Sequence, residues 1–213
     1  MTLPAWLLVA AGAYLLGSVP FSFLAAKLRT GQDIRAAGSG NVGTTNVLRV
    51  AGKVPALIAL LGDVAKGVAA VLLAQRFTGV PATGGIAAVA VVLGHVRPLF
   101  LRKGGGKGGA TGFGALAALA PAAGAMCAVV LVAVIVATRY VSVGTMSAAG
   151  ASPLLAVLAQ RLGWVRDGDS WLPLAVAGIA VIILVRHRPN FERLRAGVEP
   201  RLGQVRTQPE HKL

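Results

Sequence analysis

Between residues 109 and 138 the chain carries no charged side chain, and the stretch is interrupted only by Pro121. A helix needs about 20 apolar residues to cross the hydrocarbon of a bilayer, so this run is too long for one simple span and too apolar to face water. A proline inside a helix removes a backbone hydrogen bond and crowds the preceding turn, and Ala122-Ala123-Gly124 follow it here. The stretch therefore reads as two helices, 109 to 120 and 122 to 138, the first short enough to be re-entrant. Other apolar segments lie at about 4 to 28, 54 to 75, 83 to 101, 141 to 160 and 171 to 187.

A mean hydropathy of +0.73 and only seven acidic residues exclude an ordinary soluble domain. The expected fold is an all-α integral membrane protein, one domain over residues 1–195 with a basic cytoplasmic tail at 196–213. Met1 to Phe23 is free of side-chain charge, and Lys27 and Arg29 come after it. A cleavable signal carries its positive charge in front, so this is a retained first span. The positive-inside rule then puts the N-terminus outside and the loop after residue 28 in the cytoplasm. Without the division at Pro121, six spans would export Arg186, Arg188, Arg193, Arg195, Arg201, Arg206 and Lys212. With it there are about seven transmembrane or re-entrant segments and the C-terminus is inside. All of the 21 Lys and Arg residues except Arg76, Arg161, Arg166 and Lys66 then fall near the cytoplasmic face. Abundant Gly and Ala suit close helix packing in lipid. No internal repeat of the kind common in transporters is visible.

The formal charge of +14 would suggest nucleic acid in a soluble protein. Here the basic residues sit between apolar stretches and in the tail, almost without interleaved aromatics, so the expected partners are anionic lipid and an anionic substrate. Cys127 is the only cysteine, and His95, His187 and His211 are far apart, so neither an intrachain disulfide nor a metal site is expected.

The polar residues gather on the face that the topology makes cytoplasmic. Gly38-Ser39-Gly40-Asn41-Val42-Gly43-Thr44-Thr45-Asn46-Val47-Leu48-Arg49 is a loop dense in glycine, hydroxyls and amides that ends on an arginine. Glycines let backbone N–H groups approach a ligand, and a guanidinium fork matches phosphate oxygens, so the segment reads as a phosphate cradle. Arg102-Lys103-Gly104-Gly105-Gly106-Lys107-Gly108 leads into a short helix whose N-terminus would attract an anion beside Lys107. It is not a nucleotide P-loop, because Leu101 and Gly108 stand where that pattern needs Gly and Ser or Thr. The third cluster is His187-Arg188-Pro189-Asn190-Phe191-Glu192-Arg193-Leu194, whose His187 and Asn190 would share a face in a helical continuation. Ser142 joins the same side of the membrane. Within the second apolar segment, Asp63 and Lys66 lie one turn apart and read as a buried bridge that orients the site, with His95 as a further support.

Together these motifs resemble the bacterial acyl-phosphate:glycerol-3-phosphate acyltransferases, the PlsY family, over nearly the whole chain. Gly38-Ser39-Gly40-Asn41-x-Gly43-x-Thr45-Asn46-x-x-Arg49 looks like the first family motif, Gly105-Gly106-Lys107-Gly108 the second and His187-x-x-Asn190 the third, and Asp63-x-x-Lys66-Gly67 and Gly94-His95 also fit. The resemblance implies transfer of a fatty acyl group from acyl phosphate to the 1-hydroxyl of sn-glycerol 3-phosphate. The products would be lysophosphatidic acid and phosphate, in the first acylation of phospholipid synthesis, without acyl-CoA, cofactor or metal. It implies catalytic roles for Ser39, Arg49, Lys107, His187 and Asn190. Substrate contacts would come from Gly43, Thr45, Asn46, Gly105, Gly106, Gly108 and Ser142. The family pattern is Lys-Gly-Gly-Lys-Gly, whereas three glycines separate Lys103 from Lys107 here, so the phosphate role is carried to Lys107 and none to Lys103.

The competing reading is a small transporter for an anionic solute. It would spread polar residues through the membrane depth, but only Asp63 and Lys66 are charged in mid-span. An acyl-CoA-dependent enzyme would show His-x-x-x-x-Asp, and neither His95 (Phe100) nor His187 (Glu192) supplies it. A purely structural membrane protein leaves the clustered loops unexplained.

Overall fold

The computed structural model describes residues 1–101, 104–165 and 170–204, and all regular secondary structure among the described residues is helical. Ten α-helices follow in chain order: α1 (Leu3–Ser18), α2 (Phe21–Thr30), α3 (Thr44–Ala51), α4 (Lys53–Thr78), α5 (Ala82–Val96), α6 (Gly109–Leu119), α7 (Pro121–Thr138), α8 (Val141–Arg161), α9 (Trp171–Arg186) and α10 (Arg188–Arg195). Four spans are long and apolar enough to cross a membrane, with α1 and α2 forming one of them, and α9 with α10, bent by 49°, makes a fifth if counted together. α5 and α6 are shorter apolar helices of 15 and 11 residues.

The break at Pro121 is present, with Ala120 ending α6 and the proline in the first turn of α7, where its missing N–H costs nothing. Three expected boundaries change. The first apolar segment is not one straight helix, because Pro20 forces Val19 into an extended conformation and divides α1 from α2. The third does not reach residue 101 but stops at Val96, where the following Arg97-Pro98 leaves the helical region. The polar stretch at 38–49 is a loop only as far as Gly43; from Thr44 it is helical, because Val47 packs with Ala25, Ala26, Ile34 and Ala59 in a small apolar cluster. Arg102, Lys103, Arg166, Arg206, His211 and Lys212 lie outside the described residues.

Close packing of small residues sets the helix positions. α1 lies on α5, α4 on α6, α5 on α9, and α7, α8 and α9 pack in sequence. A side chain at Gly94 would overlap the Tyr14 carbonyl, and one at Gly17 the Val91 carbonyl, so α1 and α5 touch backbone to backbone. Gly67 and Gly114 form the same kind of contact between α4 and α6. Lipid offers no hydrophobic drive between helices, so such contacts supply the dispersion energy that holds them.

One charged knot is buried in this packing. Lys66 Nζ meets Asp63 Oδ1 at 2.8 Å, and both side chains are 2% exposed. The same ammonium donates to the Val19 carbonyl at 2.9 Å, which is the carbonyl at the proline break. Ser22 Oγ donates to Asp63 Oδ2 at 2.9 Å, and His95 Nδ1 stands 3.4 Å from Oδ1. The break, α4 and α5 are thus tied at one point.

Gly94→Val should destabilise the protein by about 1–3 kcal/mol through overpacking of the α1–α5 contact. Thermal unfolding in detergent should show a lower midpoint than for Gly150→Val, since a Cβ at Gly150 meets nothing within 4 Å.

Candidate functional site

The loop before α3 is built around one amide. Asn46, 1% exposed, accepts from the Ser39 N–H at 2.9 Å and donates to the carbonyls of Ile34 (3.3 Å), Ala37 (3.1 Å) and Asn41 (3.0 Å). Backbone groups that a loop would leave unpaired are therefore satisfied from the first turn of α3. Gly38 has φ +63°, and a Cβ there would overlap Asn46 Oδ1, so only glycine fits this approach. Arg49, one turn on from Asn46, is carried towards the cavity by the same helix.

The glycine loop before α6 is held from two sides. The Gly106 N–H donates to the His95 carbonyl at 3.1 Å, and Arg186 at the end of α9 donates to the Gly105 carbonyl at 3.4 Å. A side chain at Gly106 would run into His95 Nε2, so the loop lies directly on the histidine that faces Asp63. This fixes Lys107 just before the N-terminus of α6.

The third wall comes from α8, α10 and the segment beyond α10. Pro189 sits in the first turn of α10, so the helix continues and His187 and Asn190 are both buried. His187 Nδ1 lies 2.7 Å from the Ile183 carbonyl, which can only accept; Nδ1 therefore carries a proton, and in the neutral imidazole Nε2 keeps its lone pair. Glu199 returns to join Asn190 and Ser142. Its Oε1 accepts from Ser142 Oγ and Asn190 Nδ2, each at 2.6 Å, and Oε2 pairs with Arg193 at 2.7 Å. Burial pushes the Glu199 carboxyl up, but these three hydrogen bonds outweigh it and hold the group ionised below its ordinary range.

All three walls face one cavity of about 400 Å³. At its polar end stand Arg49, Lys107, His187, Asn190, Arg193 and Glu199. Burial first, and then the neighbouring Arg193, Arg49 and Arg186, together bring the Lys107 pKa down to about 8 against the opposing pull of Glu199. Four cations around one carboxylate make a site that favours an anion. Thr44 Oγ1 and Asn190 Oδ1, on residues that line the cavity, are buried without a hydrogen-bond partner. Below this end the wall is apolar, formed by residues such as Leu60, Phe113, Leu131, Ile135 and Ile179.

Of the residues singled out in the sequence, Ser39, Arg49, Lys107, His187, Asn190, Gly43, Thr45, Asn46, Gly108 and Ser142 line this cavity, as do Asp63 and His95. Gly105, Gly106 and Lys66 line a small neighbouring cavity instead, shared with Asp63 and His95. Sequence reasoning missed Glu199 and Arg186, and it placed Thr44 and Arg193 within the first and third clusters without giving either a role of its own. Glu199 had a usable signal in the scarcity of acids, since it is one of only seven.

The family described as glycerol-3-phosphate acyltransferase matches residues 7–197 of the chain. A glycerol-3-phosphate acyltransferase of Synechococcus sp. (strain JA-3-3Ab) is 46% identical over 207 residues, covering 95% of this chain and 97% of that protein. One of Halalkalibacterium halodurans is 42% identical over 206 residues, covering 93% and 96%. Among solved structures, the glycerol 3-phosphate form of PlsY (YgiH), an integral membrane glycerol 3-phosphate acyltransferase, superposes with a TM-score of 0.83 at 34% identity, covering 93% of this chain and 96% of that one. Its lysophosphatidic acid form gives 0.80 at 33%.

Lys107 loses its charge as pH rises through about 8, so the cavity's affinity for inorganic phosphate should fall by up to roughly tenfold between pH 7.5 and 9. Calorimetric titration at fixed ionic strength checks this, and Lys107→Arg, which stays charged, should flatten the profile.

Proposed function

The chain belongs to the glycerol-3-phosphate acyltransferase family, and from that premise we propose that its acyl donor is an acyl phosphate and that its products are lysophosphatidic acid and inorganic phosphate. It is an integral membrane acyltransferase. In our reading it works in the bacterial inner membrane, with about seven transmembrane or re-entrant segments, the N-terminus outside and the site on the cytoplasmic side. The residues 1–195 form one catalytic domain, and Glu199 is contributed by the basic segment that follows. Concentration of Lys and Arg near one face supports this orientation.

The observation that carries the donor assignment is the cluster of Lys107, Arg49, Arg186 and Arg193 around a single carboxylate. Both proposed substrates bring phosphate to it. Arg49 and Lys107 hold phosphate charge, the loop from Ser39 to Thr45 offers backbone and hydroxyl donors, and Gly108 with the start of α6 supplies free N–H groups. His187 Nε2 and Asn190 Oδ1 accept from the glycerol hydroxyls and orient the 1-hydroxyl. Ser142 acts with Glu199 to hold Asn190 in place. Gly105, Gly106, Asp63, Lys66 and His95 support the glycine loop from behind.

The step needs no acyl-enzyme. The 1-oxygen bonds to the carbonyl carbon of the acyl phosphate, the carbonyl–phosphate C–O bond breaks, and its electron pair leaves on phosphate. The hydroxyl proton passes to an oxygen of that phosphate. The cations stabilise the charge that develops on the leaving group, which is the largest contribution such a site can make. The apolar part of the cavity takes the acyl chain, and product leaves sideways into the bilayer, where Leu60 belongs both to the wall and to the lipid-facing surface.

Purified protein given acyl phosphate and glycerol 3-phosphate should form lysophosphatidic acid and release phosphate, and acyl-CoA should not replace the donor. Turnover with acyl-CoA alone as donor would contradict the assignment. Arg49→Ala should raise KM for glycerol 3-phosphate roughly 10- to 100-fold, the loss expected for a charge-assisted hydrogen bond.

His187→Ala should lower kcat by roughly 10- to 100-fold through loss of orientation. Turnover within twofold of the parent would remove His187 from the mechanism.

A further inference from the structure

The apolar part of the cavity ends at one depth on four helices. The innermost lining residues are Leu116 on α6, Cys127 on α7, Ser152 on α8 and Val176 on α9. Beyond them the same helices close on one another: Leu116, Cys127 and Val176 pack with Ala120, Ala123, Ala156, Ala159 and Leu172, and the alanines are fully buried. On this side the cavity therefore ends against packed side chains.

We propose that this four-residue floor sets the acyl-chain length the enzyme prefers. The inference rests on the acyl-transfer reading above and adds the residues that measure the chain. The polar and apolar ends belong to one continuous cavity, so a chain esterified at the polar end has this space in front of it. Val176 lies eleven residues before His187 on α9, and Ser152 eleven after Val141 on α8. At a rise of 1.5 Å per residue the floor lies about 16 Å along α9 from His187, and about as far along α8 from Val141. An extended chain advances about 1.25 Å per carbon for tetrahedral bonds near 1.5 Å, so about 13 carbons reach the floor. Each further methylene must displace packed side chains or turn out between helices. In a close-packed apolar pocket one methylene changes selectivity by about tenfold or more.

The test compares kcat/KM for C16 and C10 acyl phosphates. Val176→Phe raises the floor and should lower the C16 to C10 ratio by about tenfold. Leu116→Ala opens space towards Ala120 and Ala156 and should raise the ratio several-fold. The two variants move in opposite directions, which a general loss of stability would not produce, and Leu116→Ala decides alone if the bulky variant does not fold. Ratios within twofold of the parent in active enzyme would overturn the floor and show that the chain turns out into lipid past Leu60 and Leu131. A parent protein that accepts no acyl phosphate of any length would overturn the donor assignment, and this inference with it.

Discussion

Like-charge crowding at Lys107 is the constraint on which the rest of the structure depends. An ammonium withdrawn from water beside three guanidinium groups is unfavourable, and its pKa near 8 expresses that cost. One carboxylate, Glu199, offsets part of it and is itself fully engaged by Ser142, Asn190 and Arg193. Under the proposed function, a doubly charged phosphate relieves what remains. Binding and leaving-group stabilisation would then come from the same arrangement, because the positive charge is already in place when phosphate departs.

Such crowding persists only if the segments that carry it cannot relax. Three devices prevent this. Asn46 occupies the backbone of the first loop, His95 and Arg186 pin the glycine loop, and Asp63 and Lys66 tie the Pro20 break to α4. Charges in mid-membrane are expensive, yet these are paired and hydrogen-bonded where the glycine loop rests on α5. The glycine contacts between α1 and α5, and between α4 and α6, bring the helices near enough for the knot to close.

Much of this was legible in the sequence where a single residue enforces a local event. Pro121 announced its break because an interior proline removes a hydrogen bond and crowds the preceding turn, a cost that α8 nevertheless carries at Pro153, and the three polar motifs announced the site because lipid leaves clustered glycines, amides and cations few other uses. Pro20 was overlooked because the uncharged run around it reads as continuous, although the same rule applies. The helical half of the first motif was hidden by its polar composition; only packing of Val47 against α2 and α4 reveals α3. Glu199 was beyond local reading altogether, since it meets Ser142 across 57 residues and Asn190 across nine.

The central claim is that remote segments converge on one anion. A structure of this chain with glycerol 3-phosphate bound tests it most directly. The account predicts phosphate oxygens about 2.7–2.9 Å from both the Arg49 guanidinium and Lys107 Nζ, inside the cavity bounded by Asn190 and Glu199. Phosphate bound outside that cavity, or held by neither of these two cations, would contradict it.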